Sequence, residues 1–154
     1  MARVIVVYES KYGNTKLAAE TIVEGMKEVG GVETTLVKVK EVDFDKILDH
    51  DVILIGSPNH IGGPTRSVSR FIDKLGKLDP KGKQIAVFDT YLGKDFEKAV
   101  KKMEKRINKS VPSLKLISSG LSIKVKGMKG PISDGELPPC RDFGRRIVAE
   151  ISTS

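Results

Sequence analysis

Residues 3–15 read Arg3-Val4-Ile5-Val6-Val7-Tyr8-Glu9-Ser10-Lys11-Tyr12-Gly13-Asn14-Thr15, and this stretch decides the fold. The run Val4-Ile5-Val6-Val7 is β-branched without alternation, the mark of a strand buried on both faces. It gives way at Glu9 to a polar loop. A helical pattern follows at once, with Ala18, Ile22, Met26 and Val29 on one face. Gly30-Gly31 ends that helix, as residues tolerant of left-handed backbone do.

The same strand, loop and helix recur along the chain. Val32–Val39 reads as a second strand and Asp43–Asp49 as one or two helical turns. Asp51–Gly56 is a third strand, Ser57–Thr65 a polar loop, and Val68, Phe71, Ile72 and Leu75 the buried face of a helix. Gln84–Phe88 is a fourth strand and Asp89–Asp95 its loop. The next helix runs to about Asn108, with Phe96, Val100, Met103 and Ile107 as its stripe. Leu114–Ile117 is a fifth strand, interrupted by Ser118-Ser119-Gly120 and resumed over Leu121–Val125. Pro138-Pro139 starts a last helix that buries Phe143, Ile147 and Ile151.

Strands alternating with helices imply parallel pairing through right-handed crossovers. The expected architecture is an α/β, three-layer, doubly wound five-stranded parallel sheet with strand order 2-1-3-4-5, spanning 1–154 as one domain. Such sheets bind ligands beyond the carboxyl ends of their strands, where the loops after strands 1, 3 and 4 meet. All three loops are polar and contain glycine.

Composition narrows the function classes. The 154 residues are 39 % hydrophobic and 31 % charged, which suits a folded globular chain. No apolar run is long enough to span a bilayer, and the N-terminus has no signal-peptide layout. Cys140 is the single cysteine, so no internal disulfide is expected and a reducing cytoplasmic setting fits. The two histidines, His50 and His60, have no metal-ligand spacing with it. The net charge is +7. Aromatics are few and no RNP or zinc-finger pattern occurs, so no nucleic-acid partner is expected. The lysines of 98–109 read first as a solvated helix face.

The first loop sits where a helix N-terminus offers unpaired amides and partial positive charge to an anion. Ser10 and Thr15 add hydroxyls, Asn14 an amide, and Gly13 allows a tight curl. An N-cap and turn would use the same residues for local hydrogen bonds. Neither G-x-x-x-x-G-K-[ST] nor G-x-G-x-x-G is present, which disfavours a P-loop and a dinucleotide fingerprint. The third strand ends in Gly56-Ser57, without the aspartate a phospho-accepting receiver needs.

Ser10-x-x-Gly13-Asn14-Thr15 after the first strand resembles the phosphate loop of flavodoxins, with Tyr12 where many members carry threonine. Gly56-Ser57-Pro58-Asn59-His60-Ile61-Gly62-Gly63-Pro64 is similar to the G-[ST]-P-x-x-x-G stretch of flavodoxin domains in larger flavoproteins. Phe88-Asp89-Thr90-Tyr91-Leu92-Gly93 stands in the place of the family's second flavin-contacting loop. The likeness extends to the last helix and so covers nearly the whole chain. It implies a flavodoxin-like fold and one FMN. The phosphate would rest on Ser10, Tyr12, Gly13, Asn14 and Thr15. The ring would lie between Ser57, Pro58, Asn59, His60, Ile61, Gly62 and Gly63 on one side and Asp89, Thr90, Tyr91, Leu92 and Gly93 on the other. Tyr91 is the best aromatic wall, with His60 or Ile61 over the other face. In the family a glycine peptide beside the ring flips when the ring is reduced, and Gly62-Gly63 is the matching place.

The resemblance further implies a flavoprotein carrier in electron transport, shuttling electrons between redox protein partners, with no catalytic residue and no metal of its own. Flavodoxins are commonly acidic, whereas this chain is basic, which points to partners with acidic docking faces. The alternative is a flavodoxin-fold NAD(P)H-dependent quinone or FMN reductase. A third reading is a cofactor-free interaction module. A monomer and a weak homodimer both remain open.

Overall fold

The computed structural model describes residues 1–153. Strands β1 (Ala2–Tyr8), β2 (Val32–Lys38), β3 (Val52–Pro58) and β4 (Gln84–Tyr91) alternate with helices α1 (Asn14–Val29), α2 (Phe44–Ile47), α3 (Arg66–Lys77) and α4 (Lys98–Ser110). Two short strands, β5 (Lys115–Leu116) and β6 (Leu121–Lys124), precede α5 (Leu137–Thr153). All pairings are parallel and the order is β2-β1-β3-β4-β5, with β6 also on β4. The expected order is therefore found, with one refinement. The fifth position is shared: β5 pairs with Gln84-Ile85 and β6 with Phe88–Tyr91. The Ser118–Gly120 interruption divides one strand position into two.

Side-chain alternation on the sheet builds two cores. Val4, Val6, Leu54, Ala86 and Phe88 face α1 and α5, joined by Ile22, Met26, Phe143 and Ile147. Ile5, Val7, Ile53, Ile55, Ile85 and Val87 face α3 and α4, joined by Phe71, Ile72, Val100 and Met103. Central strands buried on both faces need continuous apolar runs, and that is why β1 and β3 lack alternation. Helices α1 and α5 approach closely because two glycines face the partner backbone. A Cβ on Gly144 would fall 2.0 Å from the Ile22 carbonyl oxygen, and one on Gly25 would fall 2.0 Å from that of Arg141.

Three boundaries differ from the sequence expectation. Strand β4 runs through Asp89, Thr90 and Tyr91, because β6 supplies hydrogen-bond partners to a segment that reads as polar loop. Phe96 lies before α4 and is 56 % exposed; the buried stripe is Ala99, Val100, Met103 and Ile107. Val29, expected on the buried face of α1, is 51 % exposed at the end of that helix, where Met26 and Glu28 make the contacts with α5. Among the described residues no helix is long and apolar enough to cross a membrane.

Candidate cofactor site

The first loop turns at Gly13, whose φ of 92° places it in the left-handed region. Nothing lies within 4 Å of where a Cβ would stand there. Ser10 Oγ accepts from the amides of Gly13 at 3.0 Å and Lys16 at 3.3 Å, so it caps α1 from outside the helix. Its own proton remains for an outward acceptor. Among the described residues, the amides of Tyr12, Asn14 and Thr15 donate to no protein acceptor. The residues from 10 to 15 hold no carboxylate. Tyr12 is 40 % exposed, with the Lys11 ammonium 5.4 Å from its ring centroid.

The other two loops are tied to the first and to each other. Thr15 and Thr90, both buried, meet hydroxyl to hydroxyl at 2.8 Å. The Asn59 amide donates to the Thr90 carbonyl at 2.7 Å, and Asn59 Nδ2 donates to Asp95 Oδ2 at 2.8 Å. Asn59 Oδ1 is buried without a partner. His60 and Gly63 exchange two backbone hydrogen bonds around Ile61-Gly62, whose φ values are 50° and 74°. Positive φ at both central positions is the geometry of a type I′ turn. Glycine suits it, whereas β-branched Ile61 is strained there. Ile61 is also 90 % exposed.

Tyr91 is almost buried at the end of β4, and its ring meets that of Phe96 edge-on at 5.5 Å between centroids. Burial raises the Tyr91 phenol above its ordinary pKa, with Glu136 and Asp89 adding to the rise. His60, Leu92 and Gly93 are exposed.

Two of the expected contact residues are turned inward. Ser57 is fully buried; its hydroxyl accepts from the Thr65 amide at 3.0 Å and donates to the Pro58 carbonyl at 2.9 Å. It braces the second loop. Asp89 is also fully buried. Its Oδ1 accepts from Ser122 Oγ at 2.6 Å and its Oδ2 from the Val100 amide at 3.0 Å. Ser122 Oγ in turn accepts from the Glu97 amide at 2.9 Å. Glu97 stands at φ 62° and gives α4 no side-chain cap, so Asp89 caps that helix from the sheet. Burial pushes the Asp89 carboxyl up to about 6 against the lowering effect of its hydrogen bonds.

A fourth segment escaped sequence reading. The lobe from Lys126 to Pro131 folds back on itself, with Lys126 donating to the Pro131 carbonyl and Gly130 to that of Gly127. A Cβ on Gly130 would fall 2.3 Å from Asn14 Oδ1, so only glycine lets this lobe rest on the Asn14 side chain. Its signal was the spacing Gly127-x-x-Gly130-Pro131. Cys140 takes no part: it is buried in the α1–α5 core and burial pushes its thiol up to about 12, contrary to the lowering that a helix N-terminus can give.

Open amides at the start of α1, beside the switch point of a doubly wound parallel sheet, make this a protein of the class whose sheet edge suits a phosphate-bearing ligand. The family model for flavodoxin matches residues 6–125, and the chain belongs to the flavodoxin family. The family's cofactor is FMN, and the unpaired amides of the first loop fit its phosphate.

A flavodoxin of Aquifex aeolicus (strain VF5) is 34 % identical over 86 residues, covering 53 % of this chain and 46 % of that one. The match thus spans about half of that relative. A solved flavodoxin from the domain Archaea is 26 % identical with a TM-score of 0.81, covering 97 % of this chain and 99 % of that one. Oxidised flavodoxin 2 of Bacillus cereus is likewise 26 % identical, with a TM-score of 0.80 and the same coverage.

Proposed function

We propose that this chain holds one FMN at the carboxyl edge of its sheet and carries electrons between redox proteins. The observation that supports this most is the set of donors at the start of α1, fastened through Thr15 and Thr90 to the strand end that bears Tyr91. The amides of Tyr12, Asn14 and Thr15 and the Ser10 hydroxyl would receive the phosphate. The segments 58–63 and 90–93 would flank the ring, with the Tyr91 and Phe96 pair excluding water on one side. Bound FMN supplies reversible acceptance of one or two electrons, and the protein supplies its position and surroundings.

Titration with FMN, followed by quenching of the flavin's fluorescence, tests the reading. Stoichiometric uptake of one FMN supports it; no uptake removes it. Steady-state oxidation of NAD(P)H by the pure loaded protein would instead favour a reductase. The single buried thiol is consistent with a reducing, cytoplasmic setting.

A further inference from the structure

The chain's net charge of +7 is not spread over its surface. Helices α3 and α4 carry ten Lys and Arg against two acids, Asp73 and Glu104, a net of +8. Helices α1 and α5 on the opposite side carry five of each and sum to zero. One helical layer therefore holds more than the whole excess. All ten cations of α3 and α4 are exposed.

Solvation alone does not require this. The α1–α5 layer stays wet with matched charges: Arg141 pairs with Glu24 and Glu28, and Arg145 with Glu28 and Asp142. On the α3–α4 layer, Arg66, Arg70, Lys74, Lys102, Lys105 and Lys109 form no salt bridge among the described residues, and Lys77 acts on Asp73 only through the longer-range field. Packing six like charges on two adjacent helices costs stability through mutual repulsion. The Arg106–Asp73 pair, Nε on Oδ1 at 2.9 Å and Nη2 on Oδ2 at 2.6 Å, joins α3 to α4 across the exposed side of this layer.

This layer runs directly into the candidate site. The stem of Lys102 lies on the second loop, its Cδ 3.1 Å from where a Cβ on Gly63 would stand, with Nζ 3.9 Å from the corresponding point on Gly62. Ile61, 90 % exposed, adjoins Gly62 in the chain, and Phe96, 56 % exposed, follows Asp95, which accepts a hydrogen bond from Asn59 of the second loop. An apolar centre beside a charged skirt is the anatomy of a transient protein interface.

We propose that the α3–α4 face, together with Ile61 and Phe96 at its end, is the docking surface for a redox protein whose electron port is ringed by acidic side chains. This rests on the carrier reading above. The cations steer the encounter and fix its orientation, and the apolar tips bring the partner's centre against the 58–63 loop. One electron then leaves the partner's reduced centre and enters the bound flavin, oxidising the one and reducing the other, with any accompanying proton taken from solvent. A polynucleotide would use the cations but not the apolar tips.

The probe is a reduced plant-type ferredoxin, an acidic one-electron donor, mixed rapidly with the FMN-loaded chain. Arg70→Glu with Lys105→Glu should lower the second-order rate at low salt about tenfold, the lower range of electrostatic steering. Lys27→Glu with Arg146→Glu makes the same charge change on the α1–α5 side and should move the rate less than about twofold. The gap should close at high salt. Basic cytochrome c, as acceptor from the reduced chain, should show the reverse trend.

Amide shifts of the labelled chain on adding ferredoxin provide a readout that needs no cofactor; they should cluster over 61–70 and 96–106. Equal effects of the two double variants, or shifts centred on α1 and α5, overturn the proposal. So does tighter binding of a DNA duplex or of anionic vesicles to this face at physiological salt. Loss of FMN binding with the shifts still on this face sinks the carrier reading alone.

Discussion

The hydroxyls of Thr15 and Thr90 meet at 2.8 Å and join the first turn of α1 to the end of β4. They lie seventy-five positions apart in the chain. This bond makes one rigid unit of the proposed phosphate loop and the proposed ring wall. A hydroxyl has one proton and two lone pairs, so if Thr90 donates to Thr15, the Thr15 proton is free for the phosphate.

Thr15→Val should cost about 1–3 kcal/mol, since it leaves the buried Thr90 hydroxyl unpaired. Adding Thr90→Val should restore much of that stability, because both partners are then apolar. FMN affinity should stay lowered by about tenfold or more in both variants, as hydrogen bonds to charged groups contribute about 1.5–3 kcal/mol. Urea midpoints and flavin titrations read the two effects separately. Wild-type FMN affinity in the double variant would show that Thr15 is purely structural.

Asp89 titrates near 3.8 in the unfolded chain and at about 6 in the fold. Between those values the folded chain holds more protons than the unfolded one. Stability from this group is therefore greatest in acid, falls as pH rises through the window, and levels off above it. The whole change is on the order of 3 kcal/mol. Asp89→Asn keeps the shape and removes the charge, so it should flatten the pH dependence of the urea midpoint across that window and raise stability at neutral pH. An unchanged slope in the variant would mean that another group titrates there.

The strand order was legible because each central strand is an apolar run and each crossover helix has a clear stripe. The turn of the first loop was legible because its hydrogen bonds are local: Ser10 accepts from Gly13 and Lys16, and Gly13 takes the left-handed turn. What could not be read is what distant segments do to a residue. Asp89 and Ser57 read as loop residues, yet they close the ends of β4 and β3 and bond inward to Val100, Ser122 and Thr65. Phe96 matched the α4 stripe, but Asp89, eleven positions before the Val100 amide it caps, sets the start of that helix and leaves Phe96 outside to meet Tyr91. The lobe over Asn14 depends on Gly130, a contact across more than a hundred residues.

Glu28 binds α1 to α5. Its carboxylate accepts from Arg141 Nη1 at 2.6 Å and from Arg145 Nε at 2.8 Å, and also from Arg145 Nη2. The hydrogen bonds from Arg141 and then Arg145 hold its pKa below the usual 4.5. A lowered value in the fold stabilises above the ordinary value and loses that effect as pH falls through the folded one. Glu28→Gln should thus lower Tm slightly at neutral pH and low salt. The gap from wild type should vanish in strong acid and shrink in high salt. A Tm difference that persists in acid would point to packing in place of charge.

Ile61 combines two costs, a β-branched side chain at φ 50° and 90 % exposure. Neither stabilises the loop itself. Asparagine tolerates the left-handed region far better, so Ile61→Asn should stabilise the cofactor-free chain by about 1 kcal/mol. The same change removes the apolar tip that the carrier reading sets beside the ring. FMN binding should then weaken while thermal stability of the free chain rises. Opposite signs for the two measurements would mark Ile61 as a strained residue retained for its contacts. A stabilised variant with unaltered FMN affinity would remove Ile61 from the ring's surroundings and leave docking as its remaining use.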